Sequence, residues 1–431
     1  MSADPRPPQV PFATALRFWA WLGCVSFGGP SGQIAIMHTE LVERRRWLSE
    51  PRFLHALNFC MLLPGPEAQQ LATYSGWLLH GARGGIAAGV LFVLPSVFVL
   101  LALSWIYVVH GDVPWIAAIF RGLQAAVLAI VVAATVRIAR RAFAQRWMVL
   151  VAAAAFVSLR YLDAPFPAVI LGAGLLGLLL GRAAPALFAR VGHAGQAPEI
   201  EEPPPVEASW PRTCKVLALC LTLWWTPVLL AGVWKGRDHV LFQESVFFSK
   251  AAMVTFGGAY AVLPYVADQA VERHAWLSTE QMMDGLGLAE TTPGPLIMVV
   301  QFVGFLGGWN HPGDLPPWLA AVLGALLTTW VTFLPCFLWI FLGAPHVERL
   351  RHVRAITGAL ATITGAVVGV ILNLAVWFGA HTLRPEGGDL DLFALAVGLA
   401  SAVALIRFKV EVIPIVATAA TAGLVRHFAL G

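Results

Sequence analysis

Four short breaks rich in Gly and Pro interrupt otherwise apolar stretches of this sequence. Phe27-Gly28-Gly29-Pro30 and Pro64-Gly65-Pro66 lie in the first half. Phe256-Gly257-Gly258 and Pro293-Gly294-Pro295 lie in the second. A helix that begins just after such a break turns unpaired N–H groups and its positive dipole end toward it. That chemistry suits an anion. Gly28, Gly29, Gly257 and Gly258 let an ion come close to backbone, and Gly65 and Gly294 are counted with them as substrate-binding candidates. Pro30, Pro66 and Pro295 are expected in first turns, where a missing N–H costs nothing. Gly and Pro also kink closely packed helices. Four breaks at matching positions favour a binding site.

Few charges accompany the breaks. Lys250 precedes the second Phe-Gly-Gly by six residues. It is expected either to offset a dianion's charge or to snorkel to the surface. Glu67 follows the first Pro-Gly-Pro and Glu290 precedes the second. Buried carboxylates of this kind carry protons in transport cycles, and Glu67 could equally cap its helix. Ser26, Thr255, Thr291, Thr292, Gln69, Gln70 and Tyr260 also flank the breaks and can donate to oxyanion oxygens.

The elements that hold these residues are set by composition. The chain has 431 residues, 58% hydrophobic and only 12% charged, with mean hydropathy +0.74. Soluble domains carry about twice that charge. This reads as an all-α polytopic membrane protein. The five cysteines form no C-x-x-C pair, so neither zinc nor a structural disulfide is expected. No other cofactor is expected. No Walker A sequence, cleavable signal peptide or catalytic constellation occurs, which argues against an ATPase and an enzyme.

Shifting the sequence by 229 residues superposes the breaks on each other. Over positions 18–66 there are 15 identities, including Val42-Glu43-Arg44 on Val271-Glu272-Arg273 and Trp47-Leu48-Ser49 on Trp276-Leu277-Ser278. Further on the register becomes 240, with Leu94-Pro95 on Leu334-Pro335. The chain is a duplication. The divisions read as a first transmembrane repeat at 1–190, a Pro/Glu-rich cytoplasmic linker at 191–212, a linking transmembrane helix at 213–234 and a second repeat at 235–431.

Arginine placement gives the orientation. Arg44, Arg45, Arg46 and Arg52 face only Arg273 in the equivalent loop. Arg137, Arg140, Arg141 and Arg146 face only Arg384. Arg349, Arg351 and Arg354 have no basic counterpart in 106–114. Cytoplasmic loops are the basic ones. All three comparisons therefore make the repeats inverted. The limbs 53–63 and 67–79 span about 16–20 Å each, enough to reach the midplane but not to cross. They read as a re-entrant hairpin with Pro64-Gly65-Pro66 at its tip, and 12–43 reads similarly. The expected path has nine spans, an inside N-terminus and an outside C-terminus. Scoring re-entrant segments as spans raises the count to about 13.

At these motifs the chain resembles the chromate ion transporter family, in its long, two-domain form. The resembling blocks are FGGP at 27–30, VERRRWLSE at 42–50, LLPGPEAQQLATY at 62–74, TFGGAY at 255–260, ERHAWLS at 272–278 and LAETTPGPLIMVVQFVGF at 288–305. The resemblance implies outward transport of chromate across the bacterial inner membrane, chromate resistance, and a pathway at the paired motifs. Sulfate is the close chemical analogue. The chain departs from symmetry where Ala259 stands opposite Pro30. A carrier for sulfate or another oxyanion and an anion channel remain the alternatives. The expected partners are chromate and sulfate and the lipid bilayer, with no nucleic acid; a homodimer stays open.

Overall fold

The computed structural model describes residues 10–27, 29–111, 113–143, 145–188, 209–346, 354–385 and 388–430. The linker at 191–208 and Gly28 lie outside them, as do Arg349 and Arg351. The described residues are helical, with no strand among them.

The element order runs twice. The first half holds α1 (Phe12–Val25), α2 (Gly29–His38), α3 (Glu50–Cys60), α4 (Glu67–His110), α5 (Pro114–Ala142), α6 (Met148–Tyr161) and α7 (Phe166–Ala183). After the linking α8 (Trp210–Lys235) come α9 (Val240–Val254), α10 (Ala259–Ala267), α11 (Thr279–Thr291), α12 (Val299–Asn310), α13 (Pro317–Gly343), α14 (Arg354–Leu383), α15 (Leu392–Ile406) and α16 (Val412–Leu430). The second half has one helix more because α4 corresponds to both α12 and α13. Within α4, non-helical His80 and Gly81 split a first limb from a second.

Even irregular backbone is repeated. A π-helical turn follows α2 at Thr39–Arg44 and α10 at Asp268–Arg273. Each ends on a non-glycine residue with positive φ, Arg46 at 53° and Ala275 at 48°. Each then sends a tryptophan, Trp47 or Trp276, into the core. The repeated V-E-R…W-L-S motif is thus a chain-reversal device. In the first half Glu40 also accepts from Arg44 at 2.8 Å and Arg45 at 3.0 Å.

Helix pairs exchange between halves. α5 packs on α15 and α16, while its counterpart α14 packs on α6 and α7. Close approach at glycine permits this. A Cβ on Gly122 would lie 2.0 Å from the Ala419 carbonyl oxygen, and one on Gly177 2.3 Å from that of Gly358. Backbone cannot yield there, and small residues at such crossings are how membrane helices gain contact. Gly122→Val is expected to destabilise the fold by about 1–3 kcal/mol through overpacking. A lowered thermal midpoint in detergent is the check, against an unchanged one for Gly172→Ala, where nothing stands within 4 Å.

The outside of the bundle is apolar: Phe98, Leu150, Leu171, Leu229 and Val233 are exposed. On a multi-pass membrane protein these face lipid. Seven helices among the described residues are long and apolar enough to cross. The expected nine spans also include α6 and α15, which have 14 and 15 residues. At 1.5 Å per residue these reach only about 21–22 Å.

Candidate functional site

The two Pro-Gly-Pro loops cross at the centre, each bound to the other half. The Gly65 N–H donates to the Thr255 carbonyl at 2.7 Å, and the Gly294 N–H donates to the Ser26 carbonyl at 2.7 Å. Under the 229-residue shift these bonds are the same bond made twice. Each loop therefore seats on the residue that ends α1 or α9 in the opposite half. Side chains reinforce the crossing. Ser96 Oγ donates to the Pro293 carbonyl. Gln33 Nε2 donates to the Gly294 carbonyl and, at 3.3 Å, to that of Ser26. Gln70 Nε2 donates to the Pro64 carbonyl at 2.8 Å.

This geometry divides the glycines into two kinds. Gly65 (φ 124°) and Gly294 (φ 106°) are packed joints. A Cβ would meet Cys336 Sγ at 2.8 Å in the first case and Ser96 Oγ at 1.7 Å in the second. Their N–H groups are already used within the protein. Gly29 (φ 70°) and Gly258 (φ 90°) have nothing within 4 Å of an added Cβ and border open space. Gly257 (φ 80°) has only Val367, at 3.7 Å. Gly258 caps α10 without a side-chain partner, so the first-turn N–H groups of α10 have no side-chain acceptor there. Pro30 sits in the first turn of α2 as expected. Pro66 and Pro295 sit one step earlier, as caps of α4 and of the 3₁₀ turn Leu296–Met298 that leads into α12. Their fixed φ suits both positions.

The flanking polar residues are mostly internal fasteners. Ser26 and Thr255 donate to the carbonyls of Leu22 and Ala251, and Thr291 and Thr292 both donate to that of Leu288. Gln69 Nε2 donates to Thr73 Oγ1 at 3.1 Å. The amide oxygens of Gln33, Gln69 and Gln70 are buried with no hydrogen-bond partner among the described residues. Each of these oxygens can still accept a hydrogen bond. Glu290 is buried and accepts from Tyr260 Oη at 2.5 Å. Glu67 is half-buried at the start of α4. The structure does not gather Lys250 with these groups: it is exposed on α9, on the same face as the exposed Met253.

Two cavities lie along α5. One of about 890 Å³ reaches Phe27 and Gly32 beside the first break. Arg137, Arg140 and Arg141 of α5 and Lys409 line it, with Glu411 as the one carboxylate. The fields of Arg137 and Arg141 reach Glu290 and Glu67 respectively, so one helix of arginines serves both acids. The other cavity, about 380 Å³, is lined by Tyr107, Arg121, Gln124 and Asp284. There Tyr107 and Gln124 each donate to Asp284 at 2.9 Å. From Arg121 to Arg137 is about 24 Å along α5, so the cavities open at opposite ends of that helix.

Sequence reasoning missed Gln33, Ser96 and Asp284, and read Arg137, Arg140 and Arg141 as topology signals only. Ser96 was the findable one: under the 240-residue shift it aligns with Cys336, and each packs on the other half's Pro-Gly-Pro glycine.

A bundle of long apolar helices, with its breaks joined across the two halves, has the build of a multi-pass membrane protein. Comparison with known proteins identifies which. The family model described as "Chromate transporter" matches residues 13–178 and 242–424, once in each half. The chain belongs to the chromate transporter family. It is 31% identical to the "Chromate transport protein" of Pseudomonas aeruginosa, over 98% of this chain and 93% of that one. It is 29% identical to the protein of the same name from Cupriavidus metallidurans, over 97% and 94%. It is 28% identical to the "Probable chromate transport protein" of Synechococcus elongatus, over 91% and 89%. No solved structure gives a significant match.

Proposed function

We propose that the protein is a secondary transporter that exports chromate across the bacterial inner membrane and thereby confers chromate resistance. The observation that carries this is the pair of reciprocal bonds, Gly65 to Thr255 and Gly294 to Ser26. They tie the four helix breaks into two pairs across the halves, and the first break borders a cavity with four cations and one carboxylate. Chromate is a tetrahedral dianion at neutral pH, and sulfate has the same shape and charge. Gly29, Pro30, Gly257 and Gly258 face the ion, with the first-turn N–H groups of α2 and α10 as donors. Gly65, Pro66, Gly294 and Pro295 hold those helices in place. Thr291 and Thr292 border the path. The repeats lie inverted in the membrane, joined by the cytoplasmic linker and α8. Export of two negative charges from an inside-negative cell is downhill by about 4.6 kcal/mol per 100 mV, so no ATP is needed.

The test is chromate flux into inside-out vesicles at set potential and pH. Uptake driven by potential and competed by sulfate is the expected result. Flux of another oxyanion without chromate overturns the substrate. Unitary currents far above carrier turnover overturn the carrier. Two variants belong in the same assay. Glu290→Gln removes a negative charge beside the path, so the chromate KM falls and its pH dependence flattens. Lys250→Ala leaves flux within about twofold, as expected of an exposed side chain.

A further inference from the structure

Glu244 is the carboxylate that neither the breaks nor the cavities account for. It is fully buried in α9, and neither side-chain oxygen has a hydrogen-bond partner among the described residues. Its carboxyl group fills a slot made of glycine. Oε1 lies 1.9 Å from where a Cβ on Gly307 of α12 would stand, and Oε2 lies 3.0 Å from that of Gly324 of α13. At the same place α12 and α13 cross backbone to backbone, a Cβ on Gly324 falling 2.2 Å from the Gly304 carbonyl oxygen. The first half keeps a glycine crossing, a Cβ on Gly84 falling 2.2 Å from the Gly76 carbonyl oxygen, but has Ala15 at the position of Glu244 and Leu78 at that of Gly307. Selection for packing alone would put Ala here as well.

The surroundings offer no counter-charge. α12 and α13 contain no Asp, Glu, Lys, Arg or His, and Cys336 is the one ionisable group on either. On α8, Lys235 is bound to Asp314 at 2.9 Å, and Arg212 donates to the Phe341 carbonyl. Lys215, Cys214 and Cys220 complete that helix. On α10, Tyr260 is bound to Glu290, and Tyr265 stacks on Phe166. His239 accepts from the Leu241 N–H and faces the Pro312 carbonyl. His274 stacks on Trp276 at 4.6 Å. On α9 itself, Lys250 lies on the exposed face. No cation forms an ion pair with Glu244 among the described residues.

We infer that Glu244 is a proton-binding site that opens and closes with the packing of α9. An unpaired carboxylate in such a slot is strongly disfavoured, whereas a neutral carboxylic acid is tolerated. While α9 is seated on α12 and α13, Glu244 holds its proton. It releases the proton to water as a carboxylate only when α9 withdraws from the glycine crossing. α9 ends at Val254, and the next residue, Thr255, is the acceptor for Gly65. Movement of α9 therefore moves the second break, and proton release is tied to rearrangement of the anion site.

Three measurements on the full-length chain test this, and only the last rests on the transport reading. Infrared spectroscopy is expected to show the C=O stretch of a protonated carboxyl near neutral pH, absent from Glu244→Gln. Identical spectra overturn the inference. Should that variant fail to fold, dicyclohexylcarbodiimide, which reacts with protonated carboxyls in apolar surroundings, is applied to the wild-type chain with and without chromate. Label mapped to Glu244 supports the site; its absence under both conditions overturns it. In proteoliposomes, chromate accumulation driven by an imposed pH gradient drops about tenfold or more in Glu244→Gln, while flux driven by potential persists. An unchanged response to the gradient overturns the coupling. Loss of all chromate flux in the wild type counts against the substrate and leaves the infrared and labelling results to decide on Glu244.

Discussion

Gly294→Ala abolishes chromate flux and destabilises the chain, whereas Gly258→Ala loses flux in a protein that still folds. The two glycines share positive φ, 106° and 90°. Forcing an L side chain into such a conformation costs about 1–2 kcal/mol. At Gly258 that is the whole structural cost, because nothing lies within 4 Å of the new methyl. At Gly294 the methyl falls 1.7 Å from Ser96 Oγ. Overpacking adds about 1–3 kcal/mol. Loss of the bond to Ser26 adds about 1 kcal/mol more. The sum is a large fraction of the stability of a typical domain. The measurement is paired: thermal midpoint in detergent and chromate flux in vesicles. Gly294→Ala is expected to fail both. Gly258→Ala is expected to fall by a few degrees at most, yet to lose flux at least tenfold because its methyl occupies the space proposed for the ion. Normal flux in Gly258→Ala would remove this break from the site.

Arg137→Gln raises the chromate KM at least tenfold and weakens its dependence on salt. Arg137 lines the larger cavity, and its field reaches Glu290 and Tyr260 at the centre. The attraction of one guanidinium for a dianion about 6 Å away is about 1.4 kcal/mol at the dielectric of water and about 5.5 kcal/mol at an effective value of 20. The lower figure alone is a factor of ten. Arg140→Gln, about 4.5 Å nearer the end of α5, changes KM less, since the attraction falls with distance. Equal KM values for wild type and Arg137→Gln across a salt series would show that the cavity does not gather the anion.

The duplication and the positions of the breaks were legible because they are local. Phe-Gly-Gly and Pro-Gly-Pro recur at one spacing, and any segment between them must turn. The gap in α4 near His80 was legible for the same reason, since the apolar run of 67–79 resumes at 86. Which half each loop docks against was not. The bonds of Gly65 to Thr255 and Gly294 to Ser26 depend on tertiary contact, and nothing in either motif names its partner. The cavity that the α5 arginines line was not legible either, because a rule explains them adequately as topology signals. Lys250 drew attention by its charge and distance from a break, but helix periodicity turns it outward. Glu244, six residues before it, faces inward onto glycines far along the chain, and only the folded packing brings the three together.

The reciprocal bonds also constrain synthesis. Gly65 leaves the ribosome 190 residues before Thr255, the group that satisfies its N–H. At about 5–20 residues per second, the first Pro-Gly-Pro loop waits roughly 10–40 s for its partner. During that interval the Gly65 N–H lacks the carbonyl that it is bound to in the folded chain. Truncation anywhere before residue 255 removes the acceptor that the Gly65 N–H has in the folded chain.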